Sequence, residues 1–221
     1  MTDDLKQWQY WEKEHGHREF DHPVVDFFAF QRIRFLFDML NVEEITTALD
    51  VGCGNGFSTF QMKKYLSNVF ATDFSKFMLR RHPFHKKGVL ALSNAAELPF
   101  RENQFDLVYG WEVLHHISDP GTVVSEMARC SRRYVIVFEP NPINPAQFAF
   151  ALMDPEHRWV LRYSRKYMQE IFRSAGLKTL AIGEGGWIFP NVTPLWLLSI
   201  LAKLPYPGTF GISKWIIGVK E

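Results

Sequence analysis

"TALDVGCGNGFSTF", residues 47–60, decides how this chain is read. Its first five residues are mostly apolar, as in a strand covered on both faces. Gly52, Gly54 and Gly56 then fall within five positions. A glycine inside a regular element costs about 0.5–1 kcal/mol relative to alanine, so three together mark a main chain that needs unusual dihedrals or a close neighbour. The next residues, "STFQMKKYL", have helical character. A strand that turns at once into a helix offers a ligand bare backbone beside a helix N-terminus. A tight turn without any ligand uses the same glycines, so the turn alone fixes no function.

Outward from this turn, strands and helices alternate. Residues 26–40, "DFFAFQRIRFLFDML", predict a helix with an unusually wide apolar face. Strands are expected over 45–51, 68–74, 89–95, 105–111 and 133–140, and again in "LKTLAIGEG" and "GISKWIIGVKE". Helices are expected after Ser75, after Asp119-Pro120, and from Ser164 to Gly176, each with a capping residue at its start. This order implies an α/β fold, a doubly wound, largely parallel sheet with helices on both faces. No linker divides residues 1–221, so one domain is expected. Three segments are left over: an N-terminal cap, 1–25, and insertions at 141–163 and 186–209. Ligands in open α/β sheets sit at the carboxyl ends of the strands, where the two insertions would serve as lids. Asn144-Pro145 and Thr193-Pro194 each read as a cap followed by a first-turn proline.

Composition narrows the function. The 221 residues are 47% hydrophobic with 20 Phe, 7 Trp and 7 Tyr, and the formal net charge is +1. No basic run exceeds Arg80-Arg81 or Lys86-Lys87, which argues against a nucleic-acid partner. Two cysteines, Cys53 and Cys130, do not make a disulfide framework, so a reducing, cytoplasmic setting is expected. The polar, acidic start "MTDDLKQWQY" is unlike a secretory signal. The longest apolar run, Leu195–Ala202, is interrupted by Ser199 and falls short of the ~20 residues of a membrane span.

Two acids bracket the glycine turn. Asp50 precedes it, and Asp73 lies 17 residues beyond Gly56 at the end of the second strand, where a carboxylate can accept both hydroxyls of a ribose. A nicotinamide fingerprint would put a third glycine at position 57, where this chain has Phe57. The pattern Asp-x-Gly-x-Gly-x-Gly followed by a ribose acid resembles the class I S-adenosylmethionine-dependent methyltransferases. "SNAAELPFRENQFDLVYGWEVLHHISDP", residues 93–120, is similar to the matching segment of that family's small-molecule branch, which includes the ubiquinone and menaquinone biosynthesis enzymes. Asn94 stands where that branch usually has an acid.

The resemblance implies a Rossmann-like, seven-stranded sheet, mostly parallel with the last strand antiparallel, binding S-adenosyl-L-methionine and releasing S-adenosyl-L-homocysteine. It implies that Asp50, Gly52, Cys53, Gly54 and Gly56 line the methionine end, and that Asp73 holds the ribose. Phe74 would pack on one adenine face, with Asn94, Ala95 and Ala96 at the adenine edge and Gly110 and Trp111 as the floor. The acceptor would be a small molecule.

An S-methyl sulfonium is already electrophilic, so alignment and exclusion of water can carry the transfer without a metal. A hydroxyl acceptor benefits from a base, and His115 is the candidate, although "LHH" also reads as a simple helix start. His15, His17, His22 and the His82-x-x-His85 pair lack a matching cysteine or carboxylate set at ligand spacing, and surface positions are expected. Cys53 reads as a small filler rather than a nucleophile. "EPNPINP", 139–145, resembles the Asn-Pro-Pro-aromatic motif of nucleic-acid amino-methyltransferases but follows the fifth strand instead of the fourth, so base methylation is set aside. Both lids are rich in apolar side chains, which favours an apolar or aromatic acceptor, with Trp196 and Leu197 helping to shape its site. A nicotinamide-dependent oxidoreductase and a non-catalytic cofactor-binding module are the alternatives.

Overall fold

The computed structural model describes residues 18–153 and 155–220. Helix α1 (Pro23–Met39) starts where the Nδ1 of His22 accepts the Val24 N–H, and Pro23 occupies the first turn. Then come β1 (Thr47–Val51), α2 (Phe57–Met62), β2 (Asn68–Asp73), α3 (Lys76–Arg81), β3 (Leu90–Leu92) and β4 (Phe105–Trp111). The second half holds α4 (Pro120–Cys130), β5 (Ser131–Pro140), α5 (Pro145–Met153), α6 (Arg165–Ser174), β6 (Leu177–Gly185), α7 (Leu195–Leu201) and β7 (Ser213–Lys220).

Seven strands form one sheet in the order β3-β2-β1-β4-β5-β7-β6. β1 to β5 run parallel, and β7 inserts antiparallel between β5 and β6. Two apolar layers cover it. Leu49, Val51, Val108, Val123, Met127 and Phe172 pack on the face covered by α4 and α6. Ala48, Leu107, Ile136, Ile33, Leu36 and Met62 pack on the face covered by α1 and α2. The strand order reverses between β1 and β4, which opens a crevice at their carboxyl ends.

Several boundaries differ from those the sequence predicts. The third strand shrinks to Leu90–Leu92 because Asn94 closes a turn, its Oδ1 accepting the Ala96 N–H at 3.0 Å. α7 starts after Pro194, not after a Thr193 cap. The Thr193 hydroxyl instead accepts the Phe189 N–H at 2.9 Å and closes the 189–193 loop. The wide apolar face of α1 is explained by two contacts: it covers the sheet through Ile33 and Leu36 and meets Ile188 and Ile212 through Val24 and Phe28. The expected cap 1–25 lies mostly outside the described residues. No helix among the described residues is long and apolar enough to cross a membrane.

Candidate active site

The β1–α2 turn is built by its glycines. Gly52 has φ 71°, and a Cβ there would lie 2.4 Å from Val113 Cγ2. Gly56 has φ 89°, and a Cβ would lie 2.5 Å from the His82 ring. Each therefore serves packing as well as dihedral freedom. Gly54 (φ 53°) faces open space, with no heavy atom within 4 Å of where a Cβ would stand. Its N–H donates to Asp73 Oδ2 at 2.8 Å, while Asp73 Oδ1 accepts the Ser75 N–H at 2.8 Å. Strand β2 thus locks the turn through the carboxylate at its own end.

A cavity of about 930 Å³ opens over this turn. Among the expected site residues, Gly52, Cys53, Gly54, Asp73, Phe74, Asn94, Ala95, Ala96, Trp111 and His115 line it. Asp50, Gly56 and Gly110 do not; they stand one layer back. Asp50 Oδ2 accepts the hydroxyls of Ser58 at 2.5 Å and Thr59 at 2.7 Å. Burial lifts its pKa to about 6, against the pull of those two hydroxyls. Gly110 packs under Val113, whose Cγ1 would lie 3.1 Å from a Cβ. Burial pushes the Cys53 thiol well up, with the nearby Asp73 and Asp50 charges adding to it, so its sulfur stays protonated and unreactive.

His82 departs from its expected surface position. It is fully buried beneath Gly56, its Nε2 is 3.2 Å from Thr59 Oγ1, and its Nδ1 accepts the Phe84 N–H. Accepting at Nδ1 puts the ring proton on Nε2, so a chain of donors runs from His82 through Thr59 to Asp50. Burial, with the His85 and Lys63 charges, lowers the pKa of His82 to about 4.

At the other end of the cavity, His115 lies in a one-turn 3-10 helix, Leu114–His116, after β4. Glu139, wholly buried at the end of β5, organises this turn. Its Oε1 accepts the N–H groups of Val113 and Leu114, and its Oε2 accepts the His115 N–H and lies 2.6 Å from His115 Nδ1. The carboxylate fixes the proton on Nδ1 and the lone pair on Nε2.

The cavity is also lined by residues that the sequence does not assign to the site, Glu112 and Arg18 among them. Glu112, Glu139's neighbour across the sheet, follows β4 with φ 58°, rare for a side-chain-bearing residue. Buried Arg32 of α1 holds its Oε1 at 2.6 Å, touches Ser213 Oγ, and stacks on Phe28 at 3.9 Å. Arg18 donates to the carbonyls of Pro190 at 3.0 Å and Thr193 at 2.8 Å. An acid after an apolar strand is the visible signal for both Glu112 and Glu139. The 141–163 segment contributes Gln147 and Phe150 to the cavity, and the 186–209 segment contributes residues 189–192. Trp196 and Leu197 do not border it, and Trp196 is 71% exposed.

Bare backbone at Gly54, a carboxylate at the end of β2 and the Phe74 ring on the cavity wall fit an adenosyl group carrying an amino-acid tail. Phe57 fills the place of a nicotinamide-type third glycine, its ring packed 6.1 Å from Phe28 and 6.0 Å from Trp111. Fold and turn together define an S-adenosylmethionine-dependent methyltransferase. Residues 49–137 match the family described as a methyltransferase domain. The chain is 30% identical over 175 residues to the demethylmenaquinone methyltransferase of Bacillus licheniformis, covering 64% of this chain and 75% of that one. It is 28% identical over 138 residues to the ubiquinone biosynthesis O-methyltransferase of Alkalilimnicola ehrlichii, covering 57% and 54%. The structure of geranyl diphosphate C-methyltransferase from Streptomyces coelicolor superposes with a TM-score of 0.66 at 16% identity, covering 100% of this chain and 99% of that one. The chain belongs to the class I S-adenosylmethionine-dependent methyltransferases, in their quinone-biosynthesis-like branch.

Proposed function

We propose that the methyl acceptor is a small apolar or aromatic molecule, methylated by direct in-line displacement at the His115 end of the cavity. The observation that carries this reading is the pairing, in one cavity, of the glycine turn with an apolar wall of Trp111, Val113, Ile117, Phe150, Phe189 and Val192. The quinone-methylating names of the relatives support it.

Bound S-adenosylmethionine supplies an electrophilic methyl group on a sulfonium. In this reading Asp73 accepts the ribose hydroxyls, the Gly52, Cys53 and Gly54 backbone receives the methionine end, and Phe74 covers the adenine. The Ala95 and Ala96 backbone meets the adenine edge with the Asn94 side chain. Asp50, Gly56 and Gly110 hold the turn from behind, and Trp111 forms the floor. His115 takes the proton of a hydroxyl acceptor at Nε2, and Glu139 balances the imidazolium that forms. Gln147, Phe150 and residues 189–192 wall the cavity, and their closing around bound ligands would keep water from competing with the nucleophile.

The test is methyl transfer from labelled cofactor to a panel of hydroxylated aromatic compounds, sugars and nucleotides. Labelled product is expected from the aromatic acceptors. Label confined to sugars or nucleotides would overturn the acceptor class.

A further inference from the structure

On the far side of α5 lies a second cleft, of about 460 Å³, bordered by Pro142, Ile143, Phe148, Leu161, Ser164, Arg165, Glu184 and Lys214. Its floor is a charge cluster built by strand register: Glu184 of β6 and Lys214 of β7 are direct cross-strand partners. Glu184 is bound by the Arg165 guanidinium through Nε at 2.9 Å and Nη2 at 2.5 Å. Lys214 is 3% exposed, and its Nζ approaches Glu184 Oε1 at 3.4 Å. Two cations thus share one carboxylate among the described residues, and Arg165 uses only two of its three nitrogens on it. An ammonium carries three donors and a guanidinium five, so the pair keeps donors in reserve.

Uncompensated charge is costly to bury, and several apolar residues could stand in a strand where Lys214 does. Here the burial is one-sided, because the cluster opens onto a cleft. The positive end of α6, a helix of 10 residues starting at Arg165, adds to the field. The walls are of the opposite character. Ile143 and Phe148 are each 47% exposed and Leu161 is 38% exposed, apolar surfaces left in water. A cationic floor under apolar walls matches a ligand with an anionic head and an apolar body, and the volume is that of a small-molecule site.

We propose that this cleft is a second binding site, for an organic anion of amphiphilic shape, a carboxylate or a phosphate monoester on an apolar chain or ring. Its head lies between Lys214 and Arg165, and its body lies on Ile143, Phe148 and Leu161. The same short segment also borders the active cavity through Gln147 and Phe150, so occupancy would be felt across α5.

Calorimetry on the full chain, saturated with S-adenosylhomocysteine, tests this with decanoate, decyl phosphate, decanol and inorganic phosphate. Decanoate or decyl phosphate is expected to bind roughly tenfold or more tighter than decanol and than inorganic phosphate. Preference between the first two identifies the head group. Lys214→Met should weaken binding roughly tenfold or more, while His115→Ala leaves it unchanged. Leu161→Glu, on the exposed rim, repels the same anions and serves if Lys214→Met fails to fold. Equal binding of decanol, or a loss that follows His115→Ala instead of Lys214→Met, would overturn the proposal.

Discussion

Asp73 illustrates how one side chain can serve both the fold and the ligand. Its two oxygens already accept the Gly54 and Ser75 N–H groups, which aims the carboxylate at the cavity. If it also accepts the ribose hydroxyls, Asp73→Ala should weaken S-adenosylhomocysteine binding by about 2–4 kcal/mol, from charge-assisted bonds lost. Calorimetry measures this, and an unchanged affinity would remove the ribose role. His115 makes the opposite kind of prediction. His115→Ala should lower turnover roughly 10²–10⁴-fold while leaving S-adenosylhomocysteine affinity intact. Turnover within a factor of about three would assign the rate to alignment alone. Glu139 is then a positioning residue, because its contacts are with the His115 ring and the three N–H groups around it.

At the scale of the element, the β1–α2 turn is a strained loop clamped from below. Gly56→Ala should cost about 1–3 kcal/mol, since φ 89° suits no other residue well and the added methyl meets buried His82. The clamp is also sensitive to pH. Asp50 has its pKa raised to about 6 by burial, from an ordinary value of 3.8. A carboxyl raised on folding contributes stability that is full below the unfolded value and is lost as pH climbs to the folded one. The stability difference between the parent and Asp50→Asn should therefore fall by about 2–3 kcal/mol between pH 4 and pH 7. His82, lowered to about 4, acts in the other direction: it stabilises above the unfolded value of 6.5 and loses that contribution as pH falls. The two slopes oppose each other over the same window. Denaturant melts across pH, compared variant by variant, separate them.

At the scale of the whole molecule, the 141–163 and 186–209 insertions border the cavity unequally. Phe150 of α5 and Val192 of the 186–209 segment reach its wall, whereas Trp196 of α7 points away into solvent. Replacing Phe150 and Val192 together with serine should raise the acceptor KM several-fold without changing S-adenosylhomocysteine affinity. Trp196→Ala should leave both constants where they were. Steady-state kinetics with any acceptor found in the labelling panel checks the contrast.

The glycine turn, the alternation of strand and helix, and the acid at the end of β2 were legible because each is local: dihedral freedom, apolar period and capping act over a few residues. They determined the α/β class, the cofactor and ten of the residues that the structure brings together at the cavity. The part of the cavity across from the glycine turn was not legible. Glu112 reaches the cavity, and Glu139 reaches the 113–115 turn behind it, only because β4 and β5 pair in register, and Arg32 becomes a site neighbour only when α1 folds over the sheet. Asp50 and Gly56 matched the motif but stand behind the surface, since pleating and helix start decide which way a side chain faces. His82, a surface histidine by spacing, is buried because the turn needs a ring beneath Gly56. Local chemistry wrote the glycine turn into the sequence; long-range pairing, which no short stretch encodes, decided what stands across from it.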